Sequence, residues 1–286
     1  MSLFPPLFAE EVASEGLTPA PVRLFSIGGF EITNSMIAEA IACLLIIVFV
    51  QVAMRAPKLI PTGMQNFVEW LVELLSNFIE SLAGRETMQR GFWFFGSLFV
   101  FIFVENVLAL VPGVGTIGYG HVAPDGHFEV TQPFLRGANA NVDLTAAYAT
   151  IFFFMFFYWC VRQAGLWGSL VHVFGSKVKF PNVAANITFI VIFFLVGWIE
   201  VLSILIIRPI AFTFRLFGNI FGGEFLLDSM YKMAPNFGFI ILVPFYFYEL
   251  LVAFVQAFVF LALTAAFTGI ITNSGDHHSG EEKGAH

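Results

Sequence analysis

Five stretches of this chain are apolar for long enough to cross a lipid bilayer, and no other feature narrows its possible folds as far. They fall at about residues 36–54, 91–111, 142–161, 182–232 and 239–272. A hydrocarbon core about 30 Å thick asks for roughly 20 apolar residues in a helix. Inside it, backbone N–H and C=O groups have no water to bond to and must satisfy one another. Composition agrees. Of all residues 58% are hydrophobic, 38 are Phe and 12% are charged, where a soluble domain carries about 25% charged residues. The chain is expected to be an all-α polytopic membrane protein with five transmembrane helices.

A sixth helix, of another kind, is predicted at about residues 62–83. Phe67, Leu71, Leu74, Leu75, Phe78 and Leu82 recur at helical spacing, while Glu69, Glu73, Asn77 and Glu80 fill the other side. This amphipathic pattern is expected to lie on the membrane surface or against a neighbouring subunit. The other segments are polar. Residues 1–35 carry Glu10, Glu11 and Glu15 with no basic leading stretch, which argues against a secretory signal. They read as an N-terminal segment with short turns, including one at Gly28-Gly29. A Gly-rich loop at 113–141 holds His121, Asp125, His127 and Glu129, whose spacing matches no metal-ligand motif. It reads as a solvated loop, and the tail at 273–286 as a disordered end. One membrane domain, 36–272, lies between these ends. Cys43 and Cys160 fall in apolar runs and read as small buried hydrophobes.

Basic residues set the orientation. With the N-terminus outside, one face of the membrane receives Arg55, Lys58, Arg85, Arg90, Arg162, Lys177, Lys179 and Lys283. The other receives Arg23, Arg136 and Lys232. This bias places the first face, and the C-terminus, in the cytoplasm. Length adds a constraint. The fourth helix, about 50 residues, would measure ~75 Å, and the fifth, about 34 residues, ~51 Å. Neither stands upright in the bilayer. Either the two form a long hairpin tilted well beyond the usual ~20°, or the fourth breaks, with Arg208-Pro209 the natural place.

Arg215 sits well inside the fourth helix, with apolar residues on both sides. A guanidinium there costs from ~2.5–3.5 kcal/mol on insertion scales to ~10–17 kcal/mol in calculations on isolated helices. An intramembrane charge is by default functional, the bland reading being an ion pair that holds the bundle together. The hairpin arithmetic favours function. About a turn at Pro235-Asn236, Arg215 falls level with Gln256, and Glu224 falls level with Glu249 about a centre one residue later. Asn219, four residues beyond Arg215, shares its face. Glu224, nine beyond at 100° per residue, points the opposite way. Two polar zones with a fixed positive charge between them suit an ion or proton path. A self-contained proton-coupled transporter or channel would use the same residues, but it calls for repeated halves and a central polar site, and the sequence has neither. No nucleophile–base set, metal motif or phosphate loop supports catalysis by the chain on its own.

Arg208-Pro209, then Arg215-Leu216-Phe217-Gly218-Asn219, then Gly223-Glu224 form a specific signature. With Gln256-Ala257-Phe258, residues 106–113 and Ala140-Asn141-Val142-Asp143, it resembles the subunit a family of F-type ATP synthases over about residues 30–272. The resemblance implies a non-catalytic stator subunit of the membrane sector in the bacterial plasma (inner) membrane. Its partners would be the c-ring proteolipid subunits and the peripheral-stalk subunit b, with neither nucleic acid nor cofactor. The coupling ion would be the proton, with sodium the open alternative. Arg215 matches the family's essential arginine, which faces the ion-binding carboxylates of the ring. Asn219 and Gln256 match polar residues beside it, and Glu224 and Glu249 match two positions of the outer access channel. Glu200 matches an acidic residue upstream, one residue farther from Arg208-Pro209 than is usual in the family. Small residues at Gly218, Gly222 and Gly223 are expected to let ring helices approach closely. A cysteine at Leu216 or Ile220 is expected to crosslink to the ring.

Overall fold

The structure, a computed structural model, describes residues 21–27, 29–111, 114, 117–122, 128–174, 183–233 and 238–281. A hairpin of β1 (Arg23–Ile27) and β2 (Phe30–Thr33) leads into α1 (Asn34–Ala53), α2 (Met64–Ala83) and α3 (Arg85–Ala109). A second hairpin, β3 (Gly118–Val122) and β4 (Phe128–Pro133), and a 3-10 turn (Ala138–Ala140) precede α4 (Val142–Phe174). Next come α5 (Val183–Leu202), a π-helical turn (Ser203–Ile207), α6 (Arg208–Met233) and α7 (Gly238–Glu281). Among the described residues five segments are long and apolar enough to cross a membrane. They are Asn34–Ala53, Arg85–Ala109, Val142–Trp159, Phe194–Leu227 and Ile240–Gly269.

The helical expectations hold, with corrections at the edges. The second span starts earlier than read, at Arg85, with Glu86 and Arg90 paired one turn apart at 2.7 Å. The tail is not disordered through residue 281, because α7 continues to Glu281. Two short antiparallel ladders stand in segments read as loops. The first closes at Gly29, which has φ 88, with Ile27 opposite Phe30. The hairpin turn expected at Pro235-Asn236, the connection carrying Lys177 and Lys179, and Asp125 and His127 lie outside the described residues. Among the described residues the fourth helix does not break at Arg208-Pro209, since α5, the π-helical turn and α6 follow one another without a gap. Pro209 has no N–H to offer, and just before it the Arg208 N–H reaches back five residues to the Ser203 carbonyl, widening one turn. Farther on, the Thr213 hydroxyl donates to the Pro209 carbonyl at 2.9 Å.

Two compact units are present, each fed by several helices. One comprises the described parts of Met1–Leu71, Leu98–Thr145 and Phe214–Val259. Asn34 anchors it, fully buried at the start of α1. Its amide donates to the Pro133 carbonyl at 3.1 Å, and its oxygen accepts from the Val22 N–H at 3.2 Å. Both hairpins are thereby tied to one helix end. Gln65 closes the link from α1 to α2 by bonding both the N–H and the C=O of Lys58, at 3.0 and 2.9 Å. Small residues, Ala38 and Ala42, face inward from α1.

The other unit comprises the described parts of Val72–Ser97, Ala146–Thr213 and Phe260–His286. Its centre is aromatic. Phe152, Phe212 and Phe260 meet with ring centroids 5.0–6.3 Å apart, and Phe94 and Phe95 stand against Trp159 at 5.4 and 5.2 Å. From α2 the buried stripe is Leu75, Ile79 and Ala83, spaced four apart, while Phe67, Trp70 and Leu74 are exposed. The apolar side of α2 is therefore shared between the unit's core and the outside. The Arg208 guanidinium lies 4.2 Å from the Phe267 ring centroid, which offsets part of the cost of a charge there. Gly269 marks the tightest crossing. A Cβ there would stand 2.6 Å from the Ala83 Cα and 2.8 Å from the Leu82 carbonyl oxygen. Because backbone cannot swing aside, Gly269→Ala is expected to destabilise the chain by about 1–3 kcal/mol, read as reduced chain content in membranes at normal transcript level.

Candidate functional site

Inside the first unit the polar residues gather where α6 and α7 meet the segment before α4. Gly223 makes the closest approach. A Cβ there would lie 2.5 Å from the Glu249 Oε2, so the Glu249 carboxyl rests directly on the α6 backbone beside Glu224. The hairpin register expected for these two acids is thus present. Glu249 is 5% exposed, and the Glu224 side chain is 19% exposed.

Arg136 completes the pair. Its Nε lies 3.5 Å from the Glu224 Oε2, and its guanidinium carbon is 5.9 Å from the centre of the Phe221 ring. It is 5% exposed. Sequence reasoning counted it among the solvated charges of the outer face, and the structure corrects that. Charge counting by loop is blind to burial. The local cause is the short segment after β4. Gly137 has room for nothing larger, since a Cβ would meet the Ala109 Cβ at 2.7 Å and the Glu224 Oε1 at 3.3 Å. That close seating draws Arg136 inward. Two residues on, the Asn139 amide donates to the Asn106 oxygen at 2.6 Å, and the Asn106 amide donates to the Ala253 carbonyl at 3.3 Å. Asn106, Asn139 and Glu105 are each at most 1% exposed. A signal for this seam was in the sequence, since Asn106 and Ala140-Asn141 both stand in matched motifs.

Arg215 looks elsewhere. It lies on the exposed face of α6 with Phe214, Gly218 and Gly222. A Cβ at Gly218 or Gly222 would meet nothing within 4 Å. Leu216 and Ile220 are buried, at 0% and 4% exposure, so the crosslinking positions expected from sequence face the protein's own interior. The glycine cluster divides likewise, with Gly218 and Gly222 outward and Gly223 inward. Asn219 is half-buried and Gln256 is 9% exposed. Among the described residues, the amide nitrogens of both lack a hydrogen-bond partner. Glu200 belongs to the other unit, half-buried on α5. The π turn stands between it and Arg208, and such a turn absorbs one extra residue within a helix. That accounts for the unusual spacing without a break.

This seam sets two carboxyls, a guanidinium and several amides among apolar helices, while a second arginine is offered outward. Such an arrangement can accept, hold and release protons, and it can present a fixed charge to a partner.

The chain matches the family described as ATP synthase A chain over residues 36–269. An ATP synthase subunit a of Rhodococcus erythropolis is 26% identical over 273 residues, covering 90% of this chain and 88% of that one. One from Solidesulfovibrio magneticus is 30% identical over 246 residues, 86% of each chain. One from Sulfurihydrogenibium is 29% identical over 221 residues, 77% of this chain and 88% of that one. With the match reaching into every apolar span, the chain belongs to the ATP synthase A chain family.

Proposed function

We propose that this chain, the proton-translocating stator subunit of an F-type ATP synthase, works through two half-channels kept apart by Arg215. The observation that carries the reading is the split on α6. Arg215 is exposed beside two unobstructed glycines, while Glu224 and Glu249 are enclosed on the other side of the helix. The partner on the exposed face is a ring of c-subunits, each with a carboxyl that must be neutral to face lipid. Arg215 attracts the ionised form at the interface. A proton from outside reaches it by way of Glu249 and Glu224, the ring turns, and the proton leaves on the cytoplasmic side, past Glu200. Asn219 and Gln256 hydrogen-bond the groups passing the arginine. The driving force is ~2.3 kcal/mol per charge per 100 mV. In this reading the chain sits in the bacterial plasma membrane with its N-terminus outside, docks the peripheral-stalk subunit b and catalyses nothing by itself.

Purification from membranes tests the assignment. The tagged chain is expected to bring down a small two-helix proteolipid with a mid-membrane carboxyl. A chain that purifies alone and transports protons by itself would replace this reading with that of a self-contained transporter.

Gly223→Ala probes the outer path without removing a charge. The atoms a Cβ would strike all belong to the Glu249 carboxyl, at 2.5–2.8 Å. They are the movable end of a side chain, so the complex is expected to assemble. Proton uptake is expected to slow severalfold because the carboxyl is displaced, as stopped-flow quenching of a pH dye in vesicles would record.

A further inference from the structure

Glu105 has no part in the path described so far, although few side chains are enclosed as completely. It is 1% exposed, and among the described residues neither carboxyl oxygen has a hydrogen-bond partner. An ionised carboxylate left so is costly. It stands fifth from the end of α3, and its electrostatic neighbour is Glu39, the sixth residue of α1. Cys43 lies one turn beyond Glu39 and is exposed. Glu39 is half-buried, so the pair joins an accessible carboxyl to a sealed one. From Glu105 the polar seam continues without leaving the unit. Asn106 is next in the chain and bonds Asn139 at 2.6 Å. The same short segment carries Arg136, which sits 3.5 Å from Glu224, and Glu249 rests on the adjoining Gly223.

We propose that Glu39 and Glu105 form a proton-collecting carboxyl pair, in which Glu39 takes protons from outside and Glu105 passes them along the Asn106–Asn139 seam to Glu224 and Glu249. Each transfer moves one proton from a carboxylic acid to the next acceptor, directly or through water, and leaves a carboxylate behind to be reprotonated from outside. Among the described residues, Cys43 on α1 is a titratable group beside the pair, and Arg136, bound to Glu224, stands farther along the seam. The inference rests on the outer half-channel reading above.

The experiment is proton-driven ATP synthesis by the complete complex in vesicles. The pH on the uptake side is varied, and the total driving force is held constant with a potassium diffusion potential. Glu39→Gln, Glu105→Gln, the double variant and Glu105→Asp are compared at equal assembled content. Each glutamine variant is expected to be roughly tenfold slower, with the loss growing toward alkaline uptake pH, where protons are scarce. The double variant is expected to be no slower than the slower single, because the two act in series. Glu105→Asp keeps a carboxyl and is expected to retain most of the rate. Both single variants running at the wild-type rate at every pH would overturn the pair, as would a loss independent of pH. If Glu105→Gln does not assemble, Glu39→Gln, at an accessible site, decides. Arg215→Gln in the same vesicles separates the two levels. Synthesis surviving that change defeats the half-channel reading itself, whereas its loss alongside unaffected glutamate variants defeats only the carboxyl pair.

Discussion

Arg215→Gln is expected to abolish ion-driven ATP synthesis and ATP-driven pumping while the complex still assembles. Arg215 lies on an exposed face of α6, with Gly218 and Gly222 open beside it. In the proposed reading, what is lost is the partner of a ring carboxylate in a dry site. Breaking such a pair costs about 3–5 kcal/mol, or roughly 10²–10⁴-fold in the population of the working state. Arg215→Lys is expected to fail as well. An ammonium is a compact point charge and lacks the planar fork that meets a carboxylate with two parallel bonds. Pumping is followed in inverted vesicles, with subunit content checked by blot. Normal coupled pumping by an assembled Arg215→Gln complex would remove the arginine from the mechanism.

Substitutions at Glu224 and Glu249 are expected to give a different phenotype, in which protons arrive slowly and the ring stays coupled. Glu249 rests on Gly223, the residue before Glu224, and the proposed reading puts the two acids on one path, where they would titrate as a unit. Removing either is expected to slow uptake by roughly 10²-fold, the contribution of a positioned proton-transfer group. The double change to alanine is expected to cost less than the sum of the single losses in log rate, because each single change already interrupts the same relay. Glu249→His is expected to keep substantial function, since imidazole also exchanges protons near neutral pH. The comparison is the pumping rate of wild type, both singles and the double across pH. Fully additive losses would mean two independent acids and no shared path.

Much of this was legible in the sequence for reasons of period and length. Apolar runs of spanning length fixed the five helices, and counting outward from Pro235-Asn236 brought Glu249 to Glu224, because two antiparallel helices rise equally per residue. The orientation of α6 was also within reach. Gly218 and Gly222, three and seven residues beyond Arg215, share its face, whereas Leu216 is turned 100° away. Choosing Leu216 and Ile220 as ring-facing positions confused neighbours in sequence with neighbours in space. The first hairpin was signalled by Gly28-Gly29 between two short β-rich runs, a turn pair that favours tight reversal. Arg136 was the real blind spot. Its place beside Glu224 depends on Gly137 seating against Ala109, a contact between distant segments that no local pattern announces. The extra residue between Glu200 and Arg208 was visible, but its absorption by a widened turn was not. That depends on which carbonyl the Arg208 N–H chooses.

The central claim is that the exposed face of α6 meets a ring of c-subunits at Arg215. Disulfide crosslinking tests this without depending on activity. Cysteines are placed singly at Phe214, Gly218 and Gly222, on the Arg215 face, and at Leu216 as a buried control. Each is paired with a cysteine scan along the outer helix of the c-subunit. The account predicts crosslinks from the three exposed positions near the c-subunit carboxyl and none from Leu216. A complete scan with no crosslink from Phe214, Gly218 or Gly222, or with crosslinks from Leu216 instead, would contradict it.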